Sequence, residues 1–128
     1  MRDFIFIAVA GGLGALGRYH MGGLAHRLLG EGFPYGTLAV NVTGSFLIGL
    51  VMEASLSTDL IPPAWRLAVT VGLLGAFTTF STFSYETLGY LEDGAWIRAG
   101  LNVLANVLPA MIAVFLGVLL GRTMFGGA

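Results

Sequence analysis

The chain has 128 residues, of which 56% are hydrophobic and 10% charged, and a mean hydropathy of +0.86, which sets it apart from soluble globular domains. A net charge of -1 with no block of like charge offers nothing to hold nucleic acid. The absence of cysteine excludes a disulfide framework and a thiolate metal site.

Four apolar spans are predicted, each about 20 residues or more and so able to cross a hydrocarbon core of roughly 30 Å. They run from Phe4 to Leu29, Tyr35 to Leu56, Ala64 to Leu91 and Ala95 to Met124. The connections hold the breakers and charges: Gly30-Glu31-Gly32-Phe33-Pro34, then Ser57-Thr58-Asp59 with Pro62-Pro63, then Glu92-Asp93-Gly94. Trp65, Trp96 and Tyr35 stand near span ends, where amphipathic aromatics anchor. The loops are too short for a second domain, so residues 1–128 are expected to form one all-α membrane domain of four helices.

The first span contains Gly12-Leu-Gly14-Ala-Leu-Gly17 after a strand-like run, which satisfies the dinucleotide fingerprint GxGxxG. That fold needs an acidic residue about 20 positions on, at the end of a second strand. The nearest acid, Glu31, sits in a Gly/Pro turn instead. The glycines are better read as close-packing positions of a membrane helix, in keeping with the 20 glycines of the chain. Ala8-Val-Ala10 resembles a signal-peptidase site, but the apolar run before it is shorter than the roughly 7–15 residues required, so the segment is expected to remain as the first helix. Arg18 lies inside this span. A cation there either raises the local anion concentration at a pore mouth or snorkels to the interface. His20, His26 and Glu53 carry no signal separable from that of interfacial residues.

In the second span Thr37, Asn41 and Ser45 recur every four residues on one helical face, with Gly49 continuing the line. A carboxamide in a membrane serves either as an anion contact or as a bond to a neighbouring helix. The third span starts as an ordinary membrane helix and turns polar near its middle: Gly72-Leu-Leu-Gly75-Ala-Phe-Thr78-Thr79-Phe80-Ser81-Thr82-Phe83-Ser84-Tyr85-Glu86. Polar groups at this depth must face protein, water or an ion. Small residues followed by hydroxyls also favour a helix broken near its middle, with backbone carbonyls set free. This segment reads as lining an ion pathway. Phe80 and Phe83, one turn apart among hydroxyls, offer positively polarised ring edges to a desolvated anion. A small anion is favoured, since no buried arginine cluster or histidine metal site lies nearby. Packing would otherwise account for the pair. The fourth span places Asn102 and Asn106 on one face, with Pro109 just beyond as a potential kink.

With an even number of spans, Arg2, Arg66 and Arg122 fall on one side of the membrane. Arg27 and Arg98 fall on the other, with Arg18 near them. The positive-inside rule has almost no bias to act on. Two readings stay open: one or two charges still decide a single orientation, or the chain inserts both ways and pairs as an antiparallel dimer.

Gly14-Ala-Leu-Gly-Arg18-Tyr19, Pro34-Tyr35-Gly36-Thr37-Leu38-Ala-Val-Asn41 with Gly44, and the block Gly72–Glu86 resemble the signature blocks of the Fluc (CrcB-type) fluoride channels. The third block is the specific one. The resemblance extends over the whole chain in length, span count and block order. It implies a dual-topology antiparallel homodimer with two pores, multi-pass in a bacterial or archaeal plasma membrane, that lets fluoride leave the cytoplasm passively. Position by position, it implies that Phe80 and Phe83 are the pore phenylalanines and Asn41 the pore asparagine, with Thr37 one turn before it. Ser81 and Thr82 would add hydroxyls along the pore, and Glu86 matches the glutamate after the aromatic element. Gly75 and Thr78 match the third-helix break whose carbonyls hold a structural sodium ion (Na+) at the dimer centre. Freed carbonyls are hard oxygen ligands, and a two-fold axis would duplicate each one. The chain departs from the family on the fourth helix, where Asn102 and Asn106 stand in place of a tyrosine or histidine and a serine. Thr79 is not marked as pore-lining, so Thr79→Val is expected to reduce flux less than loss of either phenylalanine if that side chain only packs.

The competing reading is a small dual-topology proton-coupled multidrug antiporter, which depends on a glutamate embedded in its first span. Here the first span has no acid past Asp3. No nucleophile–base pair or metal cluster can be assembled, so an enzyme is not expected.

Overall fold

The computed structural model describes residues 1–126 and is all helical. Four segments are long and apolar enough to cross a membrane: Arg2–Leu29, Tyr35–Ser57, Pro63–Glu92 and Trp96–Phe125. Each matches its predicted span to within two residues at either end.

The first span is one helix, α1 (Arg2–Leu29), and the second is α2 (Tyr35–Ser57). Gly30 closes α1 with φ 89° and ψ -179°, a region that only glycine occupies without strain. Its amide donates back to the His26 carbonyl. The third span is composite. It starts as α3 (Pro63–Leu67), widens into a π-helical stretch over Ala68–Leu74, and returns to α geometry in α4 (Gly75–Phe77). Thr78 (φ -85°, ψ 159°) and Thr79 (φ -148°, ψ 116°) are extended. Helical geometry resumes in α5 (Phe80–Glu92). Gly94 (φ 73°) makes the turn into α6 (Trp96–Phe125), which runs as a single helix through Pro109.

The two halves of the third span pack on different neighbours. The π-helical stretch and α4 lie against α1, whereas α5 lies against α6, and the most extensive contact in the molecule is between α2 and α6. Small residues make these approaches possible. A methyl group at Gly49 or Gly117 would collide with the facing backbone, at the Val114 and Phe46 carbonyls respectively. Gly14 meets the Leu73 carbonyl in the same way. Backbones this close gain van der Waals contact that lipid-filled gaps would not give.

Apolar side chains face outward along the spans. Phe4, Leu28, Ile97 and Phe115 are all exposed, as expected when the surrounding solvent is hydrocarbon. At the end holding the termini, Arg122 Nε lies 3.5 Å from Glu53 Oε1. At the opposite end Arg98 Nη1 donates to the Gly32 carbonyl at 3.4 Å.

Candidate functional site

The predicted polar face of α2 meets the extended residues of the third span. Asn41 Oδ1 accepts the Thr79 N–H at 2.8 Å, and Asn41 Nδ2 donates to the Thr79 carbonyl at 3.0 Å. The carboxamide thus pairs with a peptide unit as one strand pairs with another. The same Nδ2 group donates to Asn106 Oδ1 at 3.1 Å. This arrangement explains how the chain leaves helical geometry in an apolar surrounding. Thr79 is 7% exposed, so its N–H needs a protein acceptor, and Asn41 Oδ1 replaces the helical one.

Thr79 also caps α5. Its Oγ1 accepts the Thr82 N–H at 3.2 Å and pairs with Thr82 Oγ1 at 3.0 Å, the usual work of a threonine N-cap. The condition for a milder Thr79→Val, that this side chain only packs, is not met, because the hydroxyl bonds as well. These substitutions of partner free two carbonyls. In a continuous α-helix Gly75 C=O would receive the Thr79 N–H and Thr78 C=O the Thr82 N–H. Both amides are bound elsewhere, to Asn41 and to the Thr79 side chain. Gly75 is helical and exposed, so the extended residues fall at the C-terminal edge of the predicted Gly75–Thr78 stretch.

Phe80 and Phe83 follow directly, with ring centroids 5.4 Å apart and planes at 59°. Phe83 is buried, whereas Phe80 is 78% exposed on this single subunit. Both line a cavity of about 390 Å³ together with Asn41, Ser45, Thr79 and Asn106. The carbonyl-bearing residues Gly75 and Thr78 line it too.

One turn before Asn41, the buried Thr37 donates its hydroxyl to Glu86 Oε2 at 2.9 Å. This bond fixes the carboxylate against α2. The other oxygen, Oε1, is buried without a hydrogen-bond partner. Glu86 also borders a second cavity of about 330 Å³, towards the loop end of the molecule, with His26, Glu31, Tyr90 and Asp93. Along α2, Asn41 lines the first cavity and Thr37, which lines neither, bonds the Glu86 that borders the second.

Asn102 and Asn106 on α6 are almost fully enclosed, at 0% and 5% exposure. Asn106 Nδ2 donates to the Asn102 carbonyl at 2.9 Å and to Asn102 Oδ1 at 3.1 Å. Asn102 Nδ2 donates to Thr87 Oγ1 at 3.0 Å, and the Thr87 hydroxyl donates to the Phe83 carbonyl at 2.8 Å. Thr87 was not singled out from the sequence, although it continues the Phe80, Phe83 stripe at i+7. Ser81 and Thr82 are exposed on α5 and border neither cavity, as does Arg18, half-buried on α1. Among the described residues no group of three or more His, Asp or Glu side chains is placed to hold a metal ion.

Residues 5–118 match the family described as CrcB-like protein, Camphor Resistance (CrcB). A protein of Geobacter metallireducens is 53% identical over 95% of this chain and 98% of its own length. One from Geobacter sulfurreducens is 50% identical over 97% of this chain and 100% of its own. One from Pelobacter propionicus is 47% identical over 99% and 98%. All three bear the name fluoride-specific ion channel FluC.

Proposed function

We infer the function from a plain premise: the chain belongs to the CrcB-like family, and it is a fluoride-specific ion channel, multi-pass in the bacterial cell membrane. It is not an enzyme, and the antiporter reading falls away. The observation that carries the mechanism is the placement of Phe80 and Phe83 beside the cavity walled by Asn41, Ser45 and Thr79. A small anion stripped of water needs positive partial charge without a fixed cation that would trap it. Ring edges and hydroxyl or amide protons supply that.

We propose that the ion path follows α2 and α5, past Thr37, Asn41, Phe80, Phe83 and Glu86, with the hydroxyls of Ser81 and Thr82 at its exposed side and Arg18 at a mouth. The Thr37 hydroxyl donates to Glu86 Oε2 and holds that carboxyl group against α2.

The working unit we propose is an antiparallel homodimer with two pores and a discontinuous third helix. Support comes from what a single subunit leaves uncovered. Phe80 and Gly75 are exposed beside a mainly apolar cavity into which Asn41, Thr78 and Thr79 also open, and hydrocarbon cannot satisfy carbonyls and hydroxyls there. A second copy would cover them. Three arginines at one end of the fold, and two at the other with Arg18 inside α1 nearer to them, are compatible with either orientation.

The residues present fit a structural Na+. Gly75 and Thr78 carbonyls have lost their helical donors, and a two-fold axis would double them to a set of neutral hard oxygens. When bound, the ion would supply the positive charge that those carbonyls otherwise lack. The chain's own part is to hold the carbonyls away from helical amides. Purified protein in liposomes should release fluoride and retain chloride. Equal release of both would overturn the selectivity. Replacing sodium throughout with a large organic cation should abolish dimer and flux together, and an unchanged dimer would remove the sodium site.

A further inference from the structure

We propose that Thr87, Asn102 and Asn106 are positioning residues that hold the Phe80–Phe83 turn through a one-directional hydrogen-bond relay. The proposal rests on the reading of those phenylalanines as the anion-receiving groups.

The relay can be followed atom by atom. The Thr79 N–H donates to Asn41 Oδ1, and Asn41 Nδ2 donates to Asn106 Oδ1. Asn106 Nδ2 donates to Asn102 Oδ1, and Asn102 Nδ2 donates to Thr87 Oγ1. The Thr87 hydroxyl completes it by donating to the Phe83 carbonyl. Its direction has no freedom. A backbone N–H can only donate, so Asn41 must turn its oxygen to Thr79 and its amino group away. Each asparagine then fixes the orientation of the next, and the last link requires the threonine proton to point at Phe83. Bonds aligned in one direction in a dry setting polarise and strengthen one another.

The two anchoring points matter most. The relay starts on the backbone of Thr79 and ends on that of Phe83, which are the residues flanking the turn that carries Phe80. Residues of α2 and α6 therefore clamp both sides of the aromatic pair. Asn102 is fully enclosed, so it cannot reach a passing anion, and its amide donates to Thr87. Asn106, 5% exposed at the cavity edge, donates its amide to the carbonyl and Oδ1 of Asn102. Their part is therefore exerted through the ring geometry, whereas Phe80 presents its ring to the open cavity.

The test compares Thr87→Val and Thr87→Ser in the full chain, reconstituted in liposomes. Fluoride efflux, the fluoride-to-chloride ratio and the fluoride concentration for half-maximal rate are measured on monodisperse protein. Thr87→Val removes the donor to Phe83 and strands Asn102 Nδ2, and it should lower the fluoride-to-chloride ratio by about tenfold, the equivalent of one lost good contact. Thr87→Ser keeps the hydroxyl and should restore the parent's ratio. Asn102→Leu should match Thr87→Val, and the double variant should be no worse than either, because both break one chain. If Thr87→Val does not assemble, Thr87→Ala should show the same loss of ratio. A purely structural role would lower the yield of folded protein and leave the ratio unchanged, which overturns the proposal. Loss of flux in Asn102→Leu with a parental Thr87→Val would make Asn102 an ion contact and overturn it as well. If the parent itself passes chloride as readily as fluoride, the fluoride reading has failed and the relay falls with it. A fluoride-selective parent with parental variants removes the relay alone.

Discussion

Replacing Asn41 by leucine keeps the size of the side chain and removes every polar atom at the centre of the site. Two groups lose their partner, the Thr79 N–H and Asn106 Oδ1, while the Thr79 carbonyl loses one of two donors and keeps the first helical bond of α5. Thr79 is 7% exposed and Asn106 5%, so water cannot readily take Asn41's place. An unsatisfied buried group costs about 1–3 kcal/mol, so the two together should cost roughly 2–6 kcal/mol, with the low end applying if the third span relaxes towards a continuous helix. Thr37→Val is the control, because it removes only the single bond to Glu86. Denaturant titration in detergent, followed by far-ultraviolet circular dichroism, measures both. Asn41→Leu should unfold at a markedly lower denaturant concentration than Thr37→Val. Equal midpoints would show that the Asn41–Thr79 pair does not sustain the extended segment, and the structural account of the site would have to be abandoned.

Phe80→Ile and Phe83→Ile keep apolar bulk and lose the positive ring edge, so each should strongly reduce fluoride efflux from liposomes while the protein remains monodisperse in detergent. Thr79→Val deletes the cap of α5 and should lower stability by about 1 kcal/mol, read as a shift in the same denaturant titration. Single cysteines placed at Glu31 or Asp93 should each be labelled from both faces of intact cells if the chain inserts in both orientations. Labelling confined to one face would exclude that arrangement.

The four spans were legible because hydropathy and loop punctuation are local properties, and hydrocarbon leaves the backbone few alternatives to helix. Thr37, Asn41 and Ser45 could be placed on one face from spacing alone, as could Asn102 and Asn106, since the helical period fixes which side chains share a direction. The choice of partner could not be read this way. A carboxamide pairs equally well with an anion, another amide or a peptide group. Only the tertiary structure places Asn41 against Thr79 and commits Asn106 to Asn41 and Asn102. Thr87 escaped notice for the same reason: a threonine one turn after a phenylalanine is unremarkable until α6 brings Asn102 to its hydroxyl. The exposure of Phe80 and Ser81 was equally hidden, because it depends on how the third span is divided between α1 and α6.

That division links the packing to the site. A continuous third helix would satisfy its own backbone, but one straight rod cannot follow α1 in its first half and α6 in its second. The extended pair Thr78–Thr79 allows the change of neighbour, and it creates amides and carbonyls that need new partners. Side chains from α2 and from the extended pair itself take the amides: Asn41 binds that of Thr79, and the Thr79 hydroxyl binds that of Thr82. The carbonyls of Gly75 and Thr78 are left over at the exposed edge of the same cavity that Phe80 and Phe83 line. The polar residues of the third span therefore serve two ends at once. They let the chain leave the helix inside a membrane, and they put electropositive ring edges and electronegative carbonyls within a single cavity. An anion path needs the first, and the cation proposed to lie between two copies of the chain needs the second. Because one pair of extended residues produces both, a substitution at Thr79 or Asn41 should disturb ion passage and subunit assembly together, whereas one at Phe80 should disturb passage alone.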